Sequence, residues 1–356
     1  MRNGVLGRFR VSVNRLVGAW VWLLLVGFAL VMALPAGAFA ESHKGDFYKE
    51  FMLIGGYSDV EQWIGGDMMM QKNSVGFEYY RKFSDEYGDY MTLDLQMRFG
   101  YDTRFSSNDA FGFEIHNAWL DFNTGIGSAF RVGHFQPVFG LETEVDTHAT
   151  LLQTLAMQNI GFKHDWGIGY RGLLGEYDYQ VGAQVGSGMS ILAEDDNYLL
   201  TGRISASPER DEEIGLSVLY GQTLQPMQNW SIPKPMLKSN ESILKKRVGL
   251  DYQCPLWLFD FKTEGAIGQN DGETVGGALA QIEYTLPEDQ DTKLKLQLKY
   301  WSNDLDKKNA ADITLQPVFE RKFSEALTFR ASYYHDLYSP GQEDRAVVLQ
   351  LYYFGK

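Results

Sequence analysis

Lys293-Leu294-Lys295-Leu296-Gln297-Leu298-Lys299-Tyr300 alternates without a break. Every second residue is apolar, and each residue between carries a charge or an amide. That is period two, the spacing of a β-strand with one face in an apolar medium and the other in water. The pattern recurs along the chain. Met91, Leu93, Leu95, Met97 and Phe99 alternate with Thr92, Asp94, Gln96 and Arg98. Phe259 and Phe261 alternate with Asp260, Lys262 and Glu264, and Val347, Leu349, Leu351 and Tyr353 form another apolar row.

A soluble β-sandwich also alternates, so two further features carry the decision. Full charges recur on the polar faces, which requires solvent or a wet lumen. The runs are also long: a soluble strand averages about 5 to 6 residues, whereas a spanning strand needs about 9 to 11. Aromatic residues cluster at run ends, as in Tyr79, Tyr80, Phe83, Tyr87 and Tyr90, where a membrane barrel places its interfacial girdles. No stretch beyond residue 40 has the apolar length of a membrane helix.

Sixteen strands are predicted near 49–58, 74–83, 90–101, 113–122, 129–135, 166–174, 177–185, 198–205, 213–221, 246–253, 257–268, 274–286, 292–302, 311–323, 327–335 and 344–354. Every even connection is short, including Asn123–Ser128, Gly175–Glu176 and Cys254–Leu256. The odd ones include the long segments 59–73, 136–165, 186–197 and 222–245. Short turns on one side and long loops on the other are the rhythm of an outer-membrane barrel. The expected fold is an all-β, transmembrane, antiparallel up-and-down β-barrel of about sixteen strands, with fourteen and eighteen left open. Residues 41–356 form its single domain.

The first forty residues read as a cleaved signal peptide. Arg2, Arg8, Arg10 and Arg15 precede an apolar run from Val17 to Leu34, and Ala38-Phe39-Ala40 supplies a small-residue exit. An uncleaved anchor is the competing reading of the same run.

The third outer connection, Gln136 to Asp165, is the longest. A connection of this length is commonly functional, and a sixteen-stranded barrel leaves a wide lumen to narrow. The loop is expected to fold inward as a constriction. Residues 147–158 read as a short helix capped by Asp146 or Thr147. Glu142, Glu144, Asp146 and His148 are the candidate constriction residues, and acids there favour cations.

If the apolar rows face lipid, the inward basic residues include Arg98, Arg131, Arg171, Arg203, Lys293, Lys295, Lys299 and Arg330. Asp94 and Asp121 are among the facing acids. The two signs nearly balance, so the wall alone predicts little ion preference.

Other functions find little support. The chain carries 32 Lys+Arg against 46 Asp+Glu, a net charge of −14, which argues against a nucleic-acid partner. One cysteine excludes a disulfide scaffold and Cys-rich metal sites. The six histidines show no H-E-x-x-H spacing, and neither a G-x-S-x-G elbow nor a phosphate loop is present. The reading is a non-enzyme without cofactor or metal.

The segment Phe130-Arg131-Val132-Gly133-His134-Phe135-Gln136-Pro137-Val138-Phe139-Gly140-Leu141-Glu142 resembles the G-x-F-x-x-P-F-G-L-E stretch of the phosphate-selective porin O/P-like family. An extra Val138 interrupts the motif here. The resemblance implies a sixteen-stranded outer-membrane porin with an inward third loop, an architecture taken over here without the family's phosphate specificity. Its expected role is passive diffusion of small hydrophilic solutes or ions. Its expected surroundings are outer-membrane lipid and lipopolysaccharide, and a homotrimer is the family expectation. Two other classes stay open: a barrel sheathing a partner such as a multihaem cytochrome, and an outer-membrane hydrolase. No haem-attachment C-x-x-C-H occurs in the chain.

Overall fold

The structure is a computed structural model that describes residues 45–60, 62–64, 72–101, 111–125, 127–143, 150–191, 196–207, 211–224, 242–307, 311–338 and 341–356. The expected signal peptide lies outside the described residues, as do Glu144, Asp146 and His148.

The strands in chain order are β1 (Asp46–Ser58), β2 (Gln62–Ile64), β3 (Asn73–Asp85), β4 (Gly88–Tyr101), β5 (Phe111–Gly125) and β6 (Ser128–Phe135). Next come β7 (Asp165–Leu174), β8 (Tyr177–Gln184), β9 (Tyr198–Ala206), β10 (Glu213–Leu224), β11 (Ser242–Leu256) and β12 (Phe259–Asn270). The series ends with β13 (Glu273–Leu286), β14 (Asp289–Ser302), β15 (Ala311–Lys322), β16 (Leu327–Tyr338) and β17 (Gln342–Gly355). Apart from the three-residue β2, these are sixteen long antiparallel strands among the described residues, each paired with its sequence neighbours. The sheet closes through β1 and β17, from Lys49 opposite Gly355 to Ser58 opposite Ala346. On its other edge β1 pairs with β3 over Asp46–Met52 and with β2 over Gly56–Ser58.

The alternation is inside out relative to a soluble protein. On β14, Leu294, Leu296 and Leu298 are 47, 40 and 48 % exposed, while the intervening Gln297 is 1 % exposed. Asp94, Gln96 and Arg98 of β4 are buried, and Leu93 and Leu95 beside them are half-buried. Polar side chains point to the interior and aliphatic ones outward, so the outer surface suits hydrocarbon. Aromatic pairs ring both rims. Phe47–Phe77, Phe83–Tyr90, Tyr170–Tyr179 and Phe259–Tyr284 lie toward the short turns. Phe99–Phe111 and Tyr198–Tyr220 lie toward the long loops.

The turns β3–β4, β5–β6, β7–β8, β9–β10, β11–β12, β13–β14 and β15–β16 and both described chain ends share one rim, the periplasmic one in bacterial barrels of this layout; the other rim carries the long connections and also the tight turn Asp271-Gly272. Strand ends differ from expectation by a few residues. The largest difference in a turn is at Cys254: pairing of β11 with β12 runs on to Leu256–Phe259, so Cys254 sits in a strand and the turn is Trp257-Leu258. Cross-strand hydrogen bonding carries the hairpin past Pro255, which the sequence reads as a stop.

Candidate channel constriction

The described residues of the third loop, 136–143 and 150–164, run inside the barrel. The loop backbone is tied to inward side chains at successive points of the wall. The Val138 N–H donates to Thr201 Oγ1 on β9 (3.2 Å), and the Gly140 N–H to Ser217 Oγ on β10 (3.0 Å). The Leu141 N–H donates to Glu264 Oε2 on β12 (3.3 Å), while Asn159 Nδ2 reaches Glu264 Oε1 (3.0 Å). Across the lumen, the Leu151 carbonyl accepts from Gln316 Nε2 on β15 (3.0 Å) and from the Tyr334 hydroxyl on β16 (3.3 Å). Lys245 Nζ on β11 donates to the Ile160 carbonyl. At the base of the loop, Gln184 Nε2 of β8 clamps the Phe135 and Asp165 carbonyls at 3.0 and 3.1 Å.

Apolar contacts reinforce these bonds. Leu151 packs with Ile54, Tyr334, Ala346 and Val348. Phe139, Ile160 and Phe162 pack with Leu199, Leu219 and Ala266. Leu141 and Leu155 pack with Val275, Leu279 and Trp301. These wall residues are apolar at inward positions, against the prevailing rule, and they form the seat of the loop. Each large side chain buried there is worth about 1.5 to 3 kcal/mol. Gly249 on β11 leaves space for the Phe139 ring, since a Cβ there would lie 2.8 Å from Phe139 Cζ.

The helix expected over 147–158 is a single turn, Ala156–Asn159, with no side-chain cap; Asp146 and Thr147 lie outside the described residues. Thr150 to Thr154 are not helical. Their non-helical course lets Leu151 reach β16 and β17 while Leu155 reaches β13 and β14, which lie on a different sector of the wall. One helical face serves one sector only.

Among the four candidate constriction residues, only Glu142 is described. It is buried in the 3₁₀ turn Gly140–Thr143 rather than facing open lumen. Its carboxylate accepts from the Thr154 hydroxyl and lies 4.0 Å from Lys163 Nζ, so it braces the two limbs of the loop.

Most wall charges are matched with one another. Arg131 grips Asp121 with two bonds of 2.6 and 2.8 Å, and Arg171 Nη2 adds a third at 3.1 Å. The Arg131 guanidinium also lies 4.0 Å over the Trp119 ring, a cation–π contact. Arg203 bridges Asp251 (2.6 Å) and Glu213 (2.9 Å). Glu283 takes Lys293 (2.5 Å) and Lys295 (3.3 Å); Lys295 is shared with Glu320, which also holds Arg330 at 2.5 Å. Arg98 lies 3.6 Å from Glu50, and Lys299 lines a cavity with Asp312 and Asp336. Asp94 is buried near Asn117 and Arg131. Above the rim of β14, a hydrogen bond from Lys307 at 2.6 Å holds the Asp304 carboxyl below its usual range.

The loop divides the lumen. A cavity of about 680 Å³ lies on the terminal side, and one of about 330 Å³ on the long-loop side. Both are lined by charged and amide side chains together with the loop itself.

This is the fold of the bacterial outer-membrane porins. The anion-selective porin from Comamonas acidovorans superposes with a TM-score of 0.63 at 9 % identity, covering 88 % of this chain and 100 % of that one. OmpT of Vibrio cholerae in its trimer form gives 0.59 at 10 %, covering 88 % and 100 %. The outer membrane channel DcaP of Acinetobacter baumannii gives 0.54 at 14 %, covering 88 % and 97 %. No protein-family model and no curated sequence matches the chain. At these identities the likeness is one of fold, and the O/P-like family is not singled out among porins.

A feature that sequence reasoning missed sits at the base of the loop in this porin fold. The His116 and His164 rings lie 4.7 Å apart, and His134 and His164 5.6 Å. Trp166 covers His134 at 5.0 Å, and His134 Nδ1 bonds to the His116 carbonyl (3.0 Å). The available signal was positional: His134 is the penultimate residue of β6 and His164 precedes β7, so the two flank the loop they anchor.

Proposed function

We propose that the protein is an outer-membrane porin that passes small hydrophilic solutes by passive diffusion, with the third loop setting the bore. The observation that carries this reading is the course of residues 136–143 and 150–164, bonded to inward side chains of β9, β10, β11, β12, β15 and β16, with polar cavities on both sides. A membrane barrel with a hydrated lumen and an internal loop is built to sieve. Wall charges held in mutual pairs create little net field, which supports weak ion selectivity; the phosphate specificity of the O/P-like family is not part of the reading. Glu144, Asp146 and His148 are proposed to line the constriction.

The accompanying proposals are removal of residues 1–40 on export and assembly as a homotrimer, the latter supported by the trimer form of the OmpT neighbour. No catalytic role is proposed. The sheath alternative needs an open bore for a partner polypeptide, and a loop anchored on opposite sides of the wall stands against it.

The test is single-channel recording from the purified protein in a planar bilayer, with reversal potentials in a salt gradient. Deleting residues 142–158 is expected to raise the unitary conductance. Unchanged conductance would remove the loop from its assigned role, and a folded barrel that never conducts would overturn the porin reading.

A further inference from the structure

We propose that the cavity on the terminal side of the third loop is a binding site for a neutral oligosaccharide. The proposal rests on the porin reading and names a class of solute for it.

Two unlike surfaces adjoin around this space of about 680 Å³, within the range of roughly 300 to 1,000 Å³ typical of small-molecule sites. One is aromatic. Tyr48 on β1 and Tyr352 and Phe354 on β17 occupy inward positions, where alternation elsewhere places polar residues. Their rings are nearly parallel: Tyr48 and Phe354 are 5.0 Å apart with planes at 11°, Tyr352 and Phe354 6.3 Å apart at 6°. All three are only partly buried, so the row borders the water-filled space. An outer-membrane barrel has an obvious use for aromatics on its outer rim, but none for a row inside its lumen.

Directly beside the row runs the chain of matched charges Glu283–Lys295–Glu320–Arg330 on β13 to β16, whose Arg330 guanidinium lies 5.9 Å from the centre of the Tyr352 ring. Gln281 and Gln297 extend it through their own bond of 2.8 Å. This wall offers donors and acceptors in alternation; with Lys262 and Lys322 the lining carries four bases against the acids Glu78, Glu283 and Glu320, a small excess of base.

Three solute classes can be compared with this pair of surfaces. A cation would meet a lining with an excess of base, and an anion drawing on Lys295 or Arg330 would have to take them out of buried or half-buried ion pairs, leaving a carboxylate uncompensated, which is costly. An apolar solute would cover polar groups without replacing their water. A sugar chain meets both demands. The C–H faces of its rings stack on flat aromatic side chains, and each hydroxyl both donates and accepts, matching carboxylate, ammonium and amide neighbours. Successive parallel rings suit successive sugar units.

The experiment uses the full-length protein in detergent micelles, with maltohexaose as the probe and tetraethylene glycol as a ring-free control. Binding is read by saturation-transfer NMR and calorimetry, neither of which needs ion flow. Maltohexaose is expected to bind and the glycol is not. Tyr48→Ala with Tyr352→Ala should weaken binding at least tenfold, and Tyr48→Phe should retain it. Heat-modifiable migration on gels reports that each variant is folded. Absence of saturation transfer to maltohexaose, or equal affinity in the folded double variant, would overturn the proposal. A conducting barrel that ignores the sugar removes this site alone, whereas a sugar-binding barrel that never conducts removes the porin reading and leaves the site.

Discussion

Gly140 and Glu264 touch at the point where the third loop meets β12: a Cβ built on Gly140 would lie 2.5 Å from Glu264 Oε1. Gly140 also has φ of +59°, a conformation costly for residues with a side chain. Gly140→Ala therefore combines backbone strain with a clash against a carboxylate already engaged by the loop. The expected result is a folded barrel whose first loop limb is displaced, with larger or noisier unitary currents. Conductance indistinguishable from wild type would mean that this contact does not hold the bore.

The carboxylate itself gives a second prediction. Glu264 accepts from the Leu141 N–H and from the Asn159 amide, which lie on opposite limbs of the loop. Glu264→Ala leaves both donors buried without an acceptor, at about 1 to 3 kcal/mol each. Barrel strands do not depend on these bonds, so the loss should appear as loop release. Limited proteolysis should cut within residues 136–164 faster than in wild type, with the remaining barrel resistant.

Asp121 controls the balance of charge on the β5–β7 sector. It pairs with both Arg131 and Arg171, and the Arg171 side chain is 54 % exposed to the lumen. Asp121→Asn frees two guanidinium groups, so reversal potentials should move toward anion selectivity; Arg171→Gln should move them the opposite way. The comparison belongs at about 0.1 M salt, where the screening length is about 10 Å. A zero shift in both variants would place the ion path on another sector.

The barrel was legible in the sequence because alternation records the medium on each face of a strand, and Leu294, Leu296 and Leu298 sit in the predicted row at the predicted exposure. The course of the third loop was not. Glu264 occupies an inward position whether it meets water or a loop, and its partner Leu141 is 123 residues away in sequence. Nothing local marks the difference. The loop's seat did leave a trace, since Leu199, Leu219, Val275, Leu279 and Val348 are apolar where the pattern calls for polar residues. Glu142 shows the reverse problem: an acid in a long loop reads as solvent-facing, while its buried place depends on Thr154 and Lys163 arriving from the other limb. The helix expected over 147–158 failed for the same reason, because its leucines are spaced for helical packing but serve separate sectors of the wall.

The exterior supplies the last prediction. Leu296 lies near the middle of β14, pointing outward, between the inward residues Lys295 and Gln297. If that face meets hydrocarbon, Leu296→Arg places a charge near the centre of the bilayer, at a cost of about 2 to 4 kcal/mol. The control is Lys295→Arg, one position away, which keeps a cation on the inward face between Glu283 and Glu320. Unfolding by urea from lipid vesicles should show a clear loss of stability for the first variant and little change for the second. A protein exposed to water on both faces would tolerate an arginine at position 296 as well as at 295. The difference between two adjacent substitutions therefore measures which side of the strand the lipid occupies.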